Sequence, residues 1–189
     1  MQYKFRFYYS FLMLYVCTIN AQTHIDSYFL NCGLTQNIQQ VLPAARKYHY
    51  EAKQYPYETV IRNIQWESMS FDDVWYTAFN DSIYEISMNQ YIYASEKIAR
   101  HCYLEKQYVF NRLYGPGTEY VEKDQREIWK GNLDYTYWYD SEKDCTLWVS
   151  LYFRKDDKGT YYYRVNARFL DMRLYYKNRA LLEETEKNK

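Results

Sequence analysis

Residues 145–170, CTLWVSLYFRKDDKGTYYYRVNARFL, carry the reading from which the fold follows. Cys145, Leu147, Val149, Leu151 and Phe153 alternate with Thr146, Trp148, Ser150, Tyr152 and Arg154. Beyond the Lys155–Gly159 link, Tyr161, Tyr163, Val165, Ala167 and Phe169 alternate with Tyr162, Arg164, Asn166 and Arg168. A period of two marks a half-buried strand, and two such runs joined by a short loop ending in Gly mark a hairpin. A symmetric register sets Arg154 opposite Thr160, Tyr152 opposite Tyr162, Trp148 opposite Asn166 and Val149 opposite Val165. Both apolar sets then share one face, as an antiparallel hairpin with one buried side requires.

Outward from the hairpin, Val60–Trp66, Phe71–Phe79 and Ser82–Met88 are further apolar-aromatic runs, and Asn80-Asp81 supplies a tight turn between the last two. From Gln90 to Tyr114 the period changes. Ala94, Ile98, Cys102, Val109 and Leu113 mark one helical stripe, Asn89 is the expected cap, and Gly115-Pro116-Gly117 ends it. The runs Glu119–Lys130 and Leu133–Tyr139 lead back to the hairpin. The expectation is an α+β fold, β-β-β-α-β-β-β, a mostly antiparallel sheet with one long helix packed on one face. An all-β barrel or sandwich with an inserted helix is the alternative. Residues 57–170 form the expected domain. Residues 22–56 are an N-terminal lead-in with a short helix at Ala44–Lys53, after Pro43, and 171–189 are a charged, partly helical extension.

The start of the chain reads as an export leader, residues 1–21. Lys4 and Arg6 precede the apolar run Phe7–Ile19, and Ala21 offers the small residue that cleavage needs. The run is too short to span a bilayer, which takes about 20 apolar residues. Val16 before Cys17 does not fit a lipoprotein signal, so cleavage after Ala21 is expected rather than lipidation of Cys17. The destination is then periplasm, cell surface or medium. No membrane span is expected after cleavage.

Removing the leader takes two of the 24 basic residues and none of the 24 acids, leaving a net charge of −2. That balance disfavours nucleic acid, whose binders carry a basic excess. Of four cysteines, Cys32, Cys102 and Cys145 remain, enough for one disulfide among them and one free thiol. The 26 tyrosines against 5 glycines and 3 prolines point to strands rather than disorder.

Motifs for catalysis are missing. There is no phosphate-cradling glycine loop and no Gly-x-Ser-x-Gly elbow. His24, His49 and His101 are scattered without metal-ligand spacing, so no cofactor or metal is expected. His101 and Cys102 are adjacent, but helical neighbours point about 100° apart. Asp72-Asp73 and Asp156-Asp157 read as solvated turn acids.

One constellation remains, the second face of the C-terminal hairpin. Trp148, Tyr152, Tyr162, Arg164 and Arg168 share it, with Trp138 joining from the preceding strand. Aromatic rings beside guanidinium groups suit a glycan, a peptide or a protein partner. Cross-strand aromatic pairs also stabilise a sheet with no ligand at all. The expected function is therefore a small exported, non-catalytic binding module. The alternatives are a secreted hydrolase of glycan or peptide, and an inhibitor that presents the Gly115–Glu119 or Lys155–Gly159 loop to an enzyme.

Overall fold

The structure, a computed structural model, describes residues 29–120 and 132–187. The leader at 1–21 and most of the run Glu119–Lys130 lie outside the described residues. A 3-10 turn (Ile38–Gln40) leads into α1 (Val41–Lys47) and then β1 (Ala52–Gln54), β2 (Glu58–Trp66), β3 (Met69–Phe79) and β4 (Ser82–Ile92). Helix α2 (Glu96–Tyr114) follows, then β5 (Thr118–Tyr120), β6 (Asn132–Asp140), β7 (Cys145–Lys155), β8 (Tyr161–Asp171) and α3 (Met172–Lys187).

The strands form one sheet in the order β1-β2-β3-β4-β8-β7-β6-β5, with every neighbouring pair antiparallel. Two four-stranded meanders, one on each side of α2, meet along β4 and β8. The sheet does not close, so the barrel alternative is not what forms. The α+β expectation holds in its coarse form, but the single long helix does not. The 171–189 extension is mostly α3, because Asp171 Oδ1 accepts from Leu174 N (3.0 Å) and caps the new helix.

The C-terminal hairpin forms with its apolar set inward, but its register differs from the symmetric one. Arg154 pairs with Tyr162, Tyr152 with Arg164 and Trp148 with Arg168. The loop is tighter than counted. Asp156 N donates to Thr160 O (2.9 Å), and Gly159 takes a positive φ of 85°. Three residues with Gly in the left-handed region then make the turn. The resulting shift is two residues, so every side chain keeps its face.

Helix α2 starts later than expected. Gln90, Tyr91 and Ile92 stay extended because they pair with Val165, Arg164 and Tyr163 of β8. Asn89 is therefore a strand residue, and Ser95 occupies the N-cap position. Its buried side is also turned by about one residue. Ala99, Tyr103, Lys106, Gln107, Val109 and Phe110 are buried, whereas Ile98 and Leu113 are exposed. Phe110 sets this rotation. Its ring lies 5.7 Å from Trp66, 5.9 Å from Phe169 and 6.0 Å from Trp138. The polar members, Lys106 and Gln107, were invisible to an apolar stripe.

The short helix also moves, from the expected Ala44–Lys53 to Val41–Lys47, with Pro43 in its first turn where the missing N–H costs nothing. Residues 29–45 supply Phe29, Cys32, Ile38, Val41 and Ala45 to the same core as Ile61, Val74, Tyr76, Ile83 and Ile86. Cys32, Cys102 and Cys145 are all free thiols, so the one disulfide that three cysteines allow is not formed among them. No helix among the described residues is long and apolar enough to cross a membrane.

Candidate functional site

One side of the sheet is covered by α2 and the N-terminal segment, and the other carries the hairpin's second set. Strand pairing lines that set up in rows. One row runs Trp75, Ser87, Arg168, Trp148, Tyr137 across β3, β4, β8, β7 and β6. The next runs Asp73, Asn89, Asn166, Ser150, Tyr135, and a third runs Tyr91, Arg164, Tyr152.

The middle row is a satisfied polar network. Asn166 Nδ2 donates to Asn89 Oδ1 (2.9 Å) and Ser87 Oγ (2.8 Å), and Asn89 Nδ2 donates to Asp73 Oδ1 (2.7 Å). Asp73 also accepts from Trp75 Nε1 (2.9 Å) and the Tyr91 hydroxyl (3.0 Å). Burial, then the charge of Asp73, push the Tyr91 hydroxyl far up from its ordinary pKa, so it remains a donor. Buried polar groups that are fully paired give a surface one fixed shape.

On either side of this spine lie the aromatic groups. Trp148 sits between Tyr135, stacked at 5.5 Å, and Tyr137 at 5.8 Å, and its Nε1 donates to Thr146 Oγ1 (3.0 Å). Tyr135, Tyr137, Tyr139 and Trp148, with Pro116 and Thr118, line an open groove of about 620 Å³. Across the spine, the Tyr152 ring has the Arg154 guanidinium at 4.8 Å and that of Arg164 at 5.0 Å. Tyr162 packs against Tyr91 at 5.8 Å and Tyr93 at 5.5 Å. Helix α3 covers only the far end, where Met172 Sδ meets Thr146 Oγ1 (3.5 Å) and Asn178 bonds the Tyr84 hydroxyl (3.2 Å).

Five of the six residues singled out from the sequence therefore share the open face. Arg168 is structural there. Its Nε lies 2.7 Å from Glu85 Oε1; burial opposes its charge, but Glu85 more than restores it and its pKa is raised. Trp138 is the exception. It pairs with Leu147 on the covered side, is 2% exposed, and donates from Nε1 to Gly115 O (2.8 Å). Only its edge borders the groove. The period of two in β6 places Tyr135, Tyr137 and Tyr139 on the Trp148 side, and that alternation is the signal by which they could have been found.

A second concavity, about 220 Å³, opens between α2 and β6 and holds two carboxylates, Glu119 and Asp134. Asp134 is paired with Arg100, and Glu119 accepts from Gln107 Nε2 (2.7 Å). Gln107 also donates to Thr136 Oγ1 (3.1 Å), which the Tyr103 hydroxyl meets at 2.7 Å. Burial carries the Tyr103 pKa up to about 12, although the Thr136 bond works against it. Burial likewise raises the Cys102 thiol, which disfavours its thiolate form. Among the described residues no group of three or more His, Cys, Asp or Glu could hold a metal ion.

No family model matches the chain, and no curated protein and no solved structure matches it either.

Proposed function

We propose that this chain is an exported, non-catalytic binding module whose open aromatic face holds a glycan. The observation that carries the reading is Trp148 set between Tyr135 and Tyr137 in the wall of a groove, on a surface made rigid by the Asp73–Asn89–Asn166 network. Sugar rings offer C–H faces to such aromatic rings, while their hydroxyls meet tyrosine hydroxyls and guanidinium groups. Rigid aromatic side chains also lose little conformational entropy on binding. The leader motif at 1–21 and the near-neutral charge fit an exported protein that does not bind nucleic acid.

The test is retention of the secreted chain beginning at Gln22, and of Trp148→Ala, on immobilised polysaccharides and on a peptide display library. Retention on a polysaccharide, lost in Trp148→Ala with unchanged thermal melting, supports the reading. Retention on peptides alone, or a Trp148→Ala variant that binds as well as wild type, overturns it. N-terminal sequencing of the secreted protein checks the leader, with Gln22 as the expected first residue.

A hydrolase acting on glycan or peptide is the second reading, and the observation favouring it is that Glu119 and Asp134 line one pocket. Both are held by partners that already use them, which weakens it. Bond cleavage lost in both Glu119→Gln and Asp134→Asn would establish it over the first.

A further inference from the structure

Two arginines on the open face of β8 differ in what surrounds them. Arg168 is neutralised by Glu85 at 2.7 Å. Arg164 makes no hydrogen bond or ion pair among the described residues; the Nε of each arginine is buried without a hydrogen-bond partner, but Arg168 also donates from Nη2 to Glu85 Oε2 (2.7 Å). Arg164 as a whole is only partly buried. The guanidinium lies over Tyr152 at 5.0 Å, and Arg154 brings a second positive charge to the same ring at 4.8 Å. The acid on the adjoining row, Asp73, is already engaged by Trp75, Asn89 and Tyr91.

We infer that the glycan held by this face is anionic, with a uronate carboxylate or sulfate ester seated on the terminal nitrogens of Arg164. The inference rests on the glycan reading above. A planar fork of N–H donors matches an oxyanion, and hydrogen bonds to charged groups are about twice as strong as neutral ones. The neighbouring rings Tyr152, Tyr162 and Tyr91 provide stacking for the sugar that bears the charge. Lys and Arg equal Asp and Glu over the whole chain, 24 each, so no overall field attracts a polyanion. Selection for charge must come from a local group, the Arg164 guanidinium.

The test compares the secreted chain's affinity for an oligogalacturonate octamer, the fully methyl-esterified octamer, a heparin-derived octasaccharide and poly-L-glutamate. The acid octamer or the sulfated octasaccharide is expected to bind roughly tenfold or more tighter than the ester. Whichever is tighter identifies the carboxylate or the sulfate as the source. Arg164→Gln should remove that preference, so that acid and ester bind alike, and Arg164→Lys, which keeps the charge, should retain part of it. Equal affinity for acid and ester, still sensitive to Trp148→Ala, overturns this inference and leaves the glycan reading standing. Poly-L-glutamate binding as tightly as the octamers also overturns it, as does failure of every anionic sugar to bind. Retention of other polysaccharides would in that last case keep the glycan reading alive.

Discussion

Arg164 and Tyr152 stand opposite each other in the β7–β8 ladder, with the guanidinium 5.0 Å from the ring centre. A cation over a tyrosine face is held by the ring's quadrupole without losing its charge. The pair thus keeps a positive group fixed in place yet available. It exists because the hairpin closes on Asp156 rather than on Arg154, which brings Arg164 instead of Tyr162 opposite Tyr152.

Asn166 is the hub of the polar spine, and its amide nitrogen reaches Ser87, Asn89 and the Met88 carbonyl. Asn166→Ala leaves the Asn89 carbonyl oxygen buried and unpaired. A loss of about 1–3 kcal/mol in urea unfolding is expected. A variant as stable as wild type would show that the spine does not hold the face.

Lys106 is 2% exposed, with its amine bonded to Gln90 Oε1 and 4.8 Å from the Phe71 ring centre. Burial lowers its pKa from 10.5, opposed in part by Cys102, Glu105 and Asp72. The unfolded chain binds this proton more readily than the folded one, so protonation favours unfolding. Stability should therefore rise with pH between the lowered value and 10.5, the ordinary one. Lys106→Met should remove that rise and add about 1 kcal/mol at pH 7, as replacing a buried charge by a well-packed apolar chain does. Urea midpoints of both proteins from pH 7 to 10 check this, and parallel profiles would contradict it.

The thiols give a count. Cys32 and Cys145 are buried, and burial, then Asp140, push Cys145 up to about 12. Thiol titration of the purified chain at pH 8 should find slow reaction at Cys102 alone when folded and, with the proposed leader cleaved, three thiols after denaturation. A single thiol in the denatured, unreduced protein would show a disulfide. A fourth would show that Cys17, and with it the leader, has been kept.

Much of this fold was legible in the sequence because alternation is a local signal. The hairpin's faces, the β3–β4 turn at Asn80-Asp81 and the end of α2 at Gly115 all follow from short-range chemistry. What escaped depends on partners distant in the chain. Asn89 read as a cap because nothing local reveals that Asn166 lies beside it in the sheet. Lys106 and Gln107 fall outside the apolar stripe, and their partners, Gln90, Glu119 and Thr136, come from other elements. Within the site, residue identity on β7 and β8 was readable and the third strand was not. Trp138 drew attention as a tryptophan, although alternation sets it against Leu147 and leaves Tyr135 and Tyr137 beside Trp148. Whether Arg164 or Arg168 was neutralised depended on Glu85, across the sheet.

The most direct measurement is a nitrogen-proton NMR titration of side-chain resonances, using the tightest-binding oligosaccharide and the chain beginning at Gln22. The Trp148 indole N–H and Arg164 guanidinium signals should shift with increasing ligand, while the Trp138 indole, bonded to Gly115 on the covered side, stays in place. Shifts confined to Arg100 and Gln107, with Trp148 and Arg164 unmoved, would place the ligand in the α2–β6 pocket and contradict the account.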